Sequence, residues 1–177
     1  MSGTSVFALQ SPLRKKYVAS PDAALIVDCA VTASTNNLDP FHATVEPMEG
    51  CGIKVPVGVH SALGGPHDAP TPGDILCAAL AACQDSSIRM VANILGIELQ
   101  YLQVKVTAEV DVRGALAMSQ DVPVGFQQMA SAVELRVREG TDVMLIEKLK
   151  FAAERSCVVL QTLRNPPSIA VQFMVSK

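Results

Sequence analysis

The residues of this 177-residue chain with the most chemistry to offer are five cysteines, at positions 29, 51, 77, 83 and 157. Their odd number, irregular spacing and lack of any CxxC pair argue against a structural disulfide framework. The histidines, His42, His60 and His67, lie far in sequence from Cys157, so a zinc site would need scattered ligands. His42 falls at an expected strand start and adds no closely spaced ligand pair. What remains for a thiol is nucleophilic or redox chemistry, which requires the thiolate. At an ordinary pKa of about 8.5 most of a cysteine is protonated at neutral pH, so a cation or a polar, partly open pocket must stand nearby. His60 and His67 flank a glycine-containing loop, and a Cys/His acyl-transfer pair with Cys83 is one arrangement to weigh. Loop histidines facing solvent are the plainer alternative.

The elements that must position these thiols can be read from periodicity. The stretch "TPGDILCAALAAC" opens a helix: Thr71 is the N-cap, Pro72 the first helical residue and Asp74 the N3 member of a capping-box-like pattern. Leu76, Ala79, Leu80, Cys83, Ser87, Met90, Val91 and Ile94 recur at helical spacing, and Gly96 supplies the stop. A second helix is expected over 140–163, capped by Thr141, with Asp142 in its first turn and Ile146, Leu149, Ala153, Cys157 and Leu160 as its apolar stripe. Cys83 and Cys157 each sit on the inward stripe of a long helix. As free cysteines they read as small buried hydrophobes. As a pair on two helices that pack together, they come within disulfide reach. Cys77, six residues before Cys83, points roughly 120° away and belongs to packing. Cys29 falls in a strand and Cys51 in a turn.

Short strands are expected over 23–33, 41–47 and 52–60 as an antiparallel meander, then over 97–112 and 130–139, with a last strand in "NPPSIAVQFMVSK". This order gives an α+β class, without Rossmann alternation or glycine pattern. The length and 49% apolar content suit one domain spanning 1–177. A net charge of -3 gives no reason to expect nucleic acid or an anionic membrane as partner. No apolar run was expected to reach the roughly 18 residues of a membrane span. The basic residues of "MSGTSVFALQSPLRKKYV" follow its apolar patch, the reverse of a secretory signal, so a cytoplasmic location is expected.

Two segments carry a resemblance. "PTPGDILCAALAACQDSSIRMVANILGIELQYLQVKV" resembles the first cysteine helix and following strand of the OsmC/Ohr family, the osmotically inducible and organic hydroperoxide resistance proteins. "AAERSCVVLQTLRNPPSIAV" resembles their second cysteine helix. The likeness is clearest over residues 65–177. It implies an OsmC-like fold, with antiparallel sheets around two long central helices in an intertwined homodimer. It further implies a cysteine-based peroxidase without metal or bound organic cofactor, in which Cys83 is peroxidatic and Cys157 resolving. The partners implied are an organic hydroperoxide and a dithiol or lipoyl-type reductant.

The family also uses a carboxylate ahead of the first cysteine and an arginine from its N-terminal hairpin. At the usual glutamate position this chain has Gly73, with Asp74 one residue later, and Asp74 also serves as a cap. Arg14 is the matching arginine in "SPLRKKYV"; it equally belongs to a solvated basic run with Lys15 and Lys16. Arg89, six residues past Cys83, is directed roughly 120° from it. The family's "H-x-x-C-P" becomes Glu154, Arg155, Ser156, Cys157, Val158. A second functional class therefore stands beside the enzyme: a non-catalytic member that binds a small apolar ligand or serves as a dimer scaffold.

Overall fold

The computed structural model describes residues 5–33 and 36–176. The expected central helix forms as α2, Pro72–Leu95, with its full capping box. Thr71 Oγ1 accepts from the Asp74 amide, and Asp74 accepts from the Thr71 amide at 2.9 Å. The helix ends where Gly96 takes a left-handed conformation at φ 69°, a region that costs glycine nothing. β4 (Leu99–Glu109) and β5 (Gln128–Val137) follow as an antiparallel pair, with Leu102 opposite Leu135 and Val104 opposite Val133. Alternation turns these four side chains toward the helices. α3 (Val112–Ala115) is a short turn of helix in the connection between the two strands.

α4 (Val143–Ser156) packs against α2, and Ile88, Ala92, Ile97, Leu149 and Ala153 form the buried core between them and the β4–β5 sheet. The second helix departs from expectation in two ways. Its cap is Asp142, whose carboxylate accepts from the Met144 amide, because the Thr141 hydroxyl is spent on the Arg138 carbonyl. It also does not run to 163. It breaks at Cys157 and resumes as α5 (Val158–Arg164).

The N-terminal part differs more. Residues 6–19 form a helix, α1 (Val6–Ala19), capped by Ser5, with Pro12 inside it. Its start is tied to α2 by the Val6 amide donating to Asn93 at 2.9 Å. Periodicity did not reveal α1 because it has no apolar stripe: none of its residues is buried. The expected meander is present as β1 (Val31–Ala33), β2 (Ala43–Glu46) and β3 (Val55–Val57), antiparallel in that order. The first strand is far shorter than 23–33, since Pro21–Ala24 is a 3-10 turn and Leu25, Ile26 and Val27 are exposed without partners in a sheet of this chain. At the C-terminus, residues 165–176 are neither helix nor strand, and Ile169, Val171, Phe173, Met174 and Val175 are exposed.

The total accessible surface is 13487 Å². A compact monomer of this mass exposes about 8,300 Å². Exposed apolar side chains of α1 (Phe7, Leu9, Leu13, Val18), of residues 25–27 and of residues 169–175 contribute to that surplus. α2 is itself long and apolar enough to cross a membrane by length and composition, with an 18-residue window of mean hydropathy 1.3, contrary to the expectation from the sequence. Only 22% of that window is buried inside the chain. It nonetheless packs on β4, α4 and α5 as a core helix.

Candidate dithiol site

Cys83 lies mid-way along α2, half-buried, with buried Leu80 and Ser87 one turn to either side. Cys157 occupies the break between α4 and α5 in extended backbone, φ −77° and ψ 101°, with no exposed surface. α2 packs against both α4 and α5, which brings the Cys83 and Cys157 thiols near enough for Cys83 to influence the ionisation of Cys157. Two cysteines separated by most of the domain's second half thus form one dithiol. Both are free. Burial pushes the Cys157 thiol up, and the neighbouring Cys83 adds to this, while the Leu160 and Val159 amides pull the other way. One partly open thiol against one closed thiol makes the pair asymmetric in access to solvent.

Cys77 faces elsewhere; burial and the Asp74 carboxylate push its thiol up, which disfavours the thiolate. Asp74 is committed to the cap. Its carboxylate holds both the amide and the hydroxyl of Thr71, which lowers its pKa, with His67 and His60 nearby as lesser contributors. The rings of those two histidines lie 4.2 Å apart, centroid to centroid, and His60 Nδ1 accepts from the Ala62 amide. Neither arginine is directed at the thiols by its bonding. Arg89 gives its guanidinium to Asp85 at 2.6 and 3.1 Å. Arg14 lies on helix α1, not on a hairpin, and donates to Gln10 one turn back at 3.3 Å.

Gly73 explains why no larger residue stands where the resemblance expects a glutamate. A Cβ there would meet the Phe126 ring at 2.9 Å. Phe126 comes from the β4–β5 connection, and its place over the start of α2 is a tertiary fact that no local pattern signals. A cavity of about 630 Å³ opens between α2, α4 and β5, lined by Gln84, Ile88, Val133, Leu135, Leu149 and Ala153 among others. Gln84, on its wall, accepts from the Ser131 hydroxyl of β5, and the charged side chains of Glu134, Lys150 and Glu154 complete the lining. Among the described residues, no cluster of three or more His, Cys, Asp or Glu could hold a metal ion.

His42, read from the sequence as a strand-start residue, has both ring nitrogens engaged by carboxylates: Asp39 at 2.8 Å and Asp68 at 3.0 Å. It thereby joins the start of β2 to the loop that leads into α2.

Fold and site together define a class: an α+β protein in which a long helix and a helix break remote from it in sequence bring one thiol each to the same packed interface. A family profile described as OsmC-like protein matches residues 65–172, more than half the chain, and the chain belongs to the OsmC-like family. No curated protein sequence matches it. Solved structures share the fold. An organic hydroperoxide resistance protein OsmC from Legionella pneumophila is 24% identical, with a TM-score of 0.56 over 80% of this chain and 92% of its own. An OsmC-like protein from Mycoplasma pneumoniae is 14% identical, with a TM-score of 0.63 over 80% and 89%. An organic hydroperoxide resistance protein from Elizabethkingia anophelis is 17% identical, with a TM-score of 0.58 over 81% and 91%.

Proposed function

We propose that this protein reduces organic hydroperoxides, of alkyl or fatty-acid type, through Cys83 and Cys157. The observation that carries the reading is the packing of α2 against α4 and α5, which sets a half-buried thiol on α2 beside a fully buried one at the α4–α5 break. Two of the structural relatives are named organic hydroperoxide resistance proteins, which supports the substrate class. The Cys83 thiolate attacks the terminal oxygen of the hydroperoxide and the O–O bond breaks. An alcohol leaves with the proton, and Cys83 becomes a sulfenic acid. Cys157, as thiolate, then attacks the Cys83 sulfur, and the sulfenic oxygen leaves as water. An external dithiol, lipoyl-linked or otherwise, returns both thiols by two exchanges. The hydrocarbon part of the substrate is assigned to the cavity between α2, α4 and β5, where Ile88, Val133, Leu135 and Leu149 offer an apolar wall.

The working unit in this reading is a homodimer in the cytoplasm. The surplus surface, the thinly buried α2 and the unpaired C-terminal segment all support a second copy as their cover. Arg14 and Asp74 are the charged residues that the resemblance assigns to thiolate formation. Within one chain they bond Gln10 and Thr71, so in this reading dimerisation brings such a pair to Cys83.

A substoichiometric dose of an alkyl hydroperoxide is expected to give a Cys83–Cys157 disulfide by peptide mass mapping, and Cys83→Ser to abolish hydroperoxide consumption. Both thiols staying reduced while hydroperoxide persists would overturn the enzyme reading. That result would leave the non-catalytic one, a scaffold or carrier of a small apolar ligand. The commitment of Asp74 to its cap and of Arg89 to Asp85 is what favours that second reading.

A further inference from the structure

Nothing in the local sequence forces the helix to break at Cys157. Val158 has no proline ring to exclude the preceding turn, and Cys157 is not a glycine. The break also leaves the last carbonyls of α4 in need of donors. The structure answers this at one residue. The Glu154 carbonyl accepts from the Gln161 side-chain amide at 3.0 Å and from the Cys157 amide at 3.4 Å. The Glu154 carboxylate accepts from Arg164 Nη1 at 2.6 Å. Ser156 Oγ donates to the Ala153 carbonyl at 3.2 Å. α5 is thereby fastened back onto the final turn of α4 by two of its own side chains, and Cys157 is the vertex of the bend.

We infer that Glu154, Gln161 and Arg164 form a clasp that fixes the angle between α4 and α5 and so positions the Cys157 sulfur against Cys83. They are positioning residues, since none of them touches either sulfur by any bond described. The inference rests on the dithiol reading of the site. Its consequence is that the clasp acts on pairing of the two thiols, and leaves the first attack of Cys83 on an oxidant intact. An uninterrupted helix is the competing conformation for this stretch, and weakening the clasp shifts the chain toward it.

The test uses the full-length protein equilibrated in mixtures of reduced and oxidised dithiothreitol, with the Cys83–Cys157 disulfide quantified by peptide mass mapping. One lost hydrogen bond and one lost ion pair of exposed type predict a fall in disulfide stability of about threefold to tenfold in the double variant Gln161→Ala, Arg164→Glu. The charge swap Glu154→Arg with Arg164→Glu is expected to restore most of it where Gln161 is kept, as loss of packing alone would not. In parallel, trapping of the Cys83 sulfenic acid with dimedone after a hydroperoxide pulse is expected to rise in the double variant, while the rate of first oxidation stays unchanged. A disulfide equilibrium within twofold of wild type would overturn the inference. Should the double variant fail to fold, Gln161→Ala alone, which deletes one exposed amide, carries the same comparison. Wild-type protein that ignores hydroperoxide sinks the peroxidase reading separately, because the dithiothreitol equilibrium needs no peroxide.

Discussion

Cys157 has no exposed surface and a thiol pushed above its ordinary pKa, chiefly by burial. In the proposed reaction it must attack as thiolate, so the deprotonated fraction limits resolution. The rate of disulfide formation, measured by quenching after a hydroperoxide pulse, is therefore expected to keep rising with pH beyond the ordinary thiol range near pH 8.5. A rate that levels off below pH 8 contradicts this. Replacing Cys157 with Ser is expected to leave the first oxidation intact and make the Cys83 sulfenic acid accumulate, visible as a dimedone adduct. Periodicity in the sequence put Cys83 on the apolar stripe of its helix, where the structure has it, and put Cys157 on a stripe as well, where the structure has a helix break. The company they keep was not legible there. The bonds that commit Arg14 to Gln10 and Arg89 to Asp85 depend on rotamers and exposure, and a cation five or fifty residues away looks equally available in a string of letters.

At the scale of elements, α2 is the part the sequence describes best. Thr71, Pro72, Asp74 and Gly96 each carry a local conformational preference, and all four were honoured. Thr71→Ala is expected to cost about 1 kcal/mol in denaturant unfolding, with the reciprocal bonds to Asp74 lost together. Gly73→Glu is expected to destabilise by about 1 kcal/mol, because the Phe126 ring must move aside, and Phe126→Ala in the same chain is expected to relieve the clash.

The His42 bridge makes a prediction with a definite sign. Both its nitrogens face carboxylates, an arrangement that calls for the imidazolium, and the pKa is raised from 6.5, first by Asp39 and then by Asp68. Its contribution to stability is therefore complete below about pH 6.5 and is lost as pH rises through the raised value. Asp39 has a depressed pKa, owed first to the Phe41 amide and then to His42. Its contribution is present above its ordinary range and is lost as pH falls through the folded value. Titration of the His42 ring by NMR is expected to give a pKa above 6.5 that Asp68→Asn moves back down; no movement would show that the bridge does not form in solution.

For the molecule as a whole, the surface left open exceeds that of a compact monomer by roughly 5,000 Å², more than one subunit's share of a large obligate interface of about 5,000 Å² in total. Sedimentation is expected to give a dimer at micromolar concentration, and truncation after Pro167 to weaken it. That truncation removes Ile169, Val171, Phe173 and Val175, which alternate as one face of a strand. A stable monomer with an unchanged thermal transition would contradict the dimer reading.

The sequence by itself determined the α+β class and the course of α2, β4 and β5. These rest on periodicity and capping, which act within a few residues. Only the tertiary structure decided that 140–163 breaks at Cys157, that 6–19 is a helix, that Phe126 stands over Gly73, and that the strand expected at the C-terminus remains without a partner in its own chain. Each of these is settled by what packs against the segment. A strand needs a neighbour to receive its hydrogen bonds, and a helix break needs donors for its last carbonyls. In this chain Gln161 supplies such a donor to the Glu154 carbonyl from outside the turn it closes, and Arg164 holds the Glu154 carboxylate.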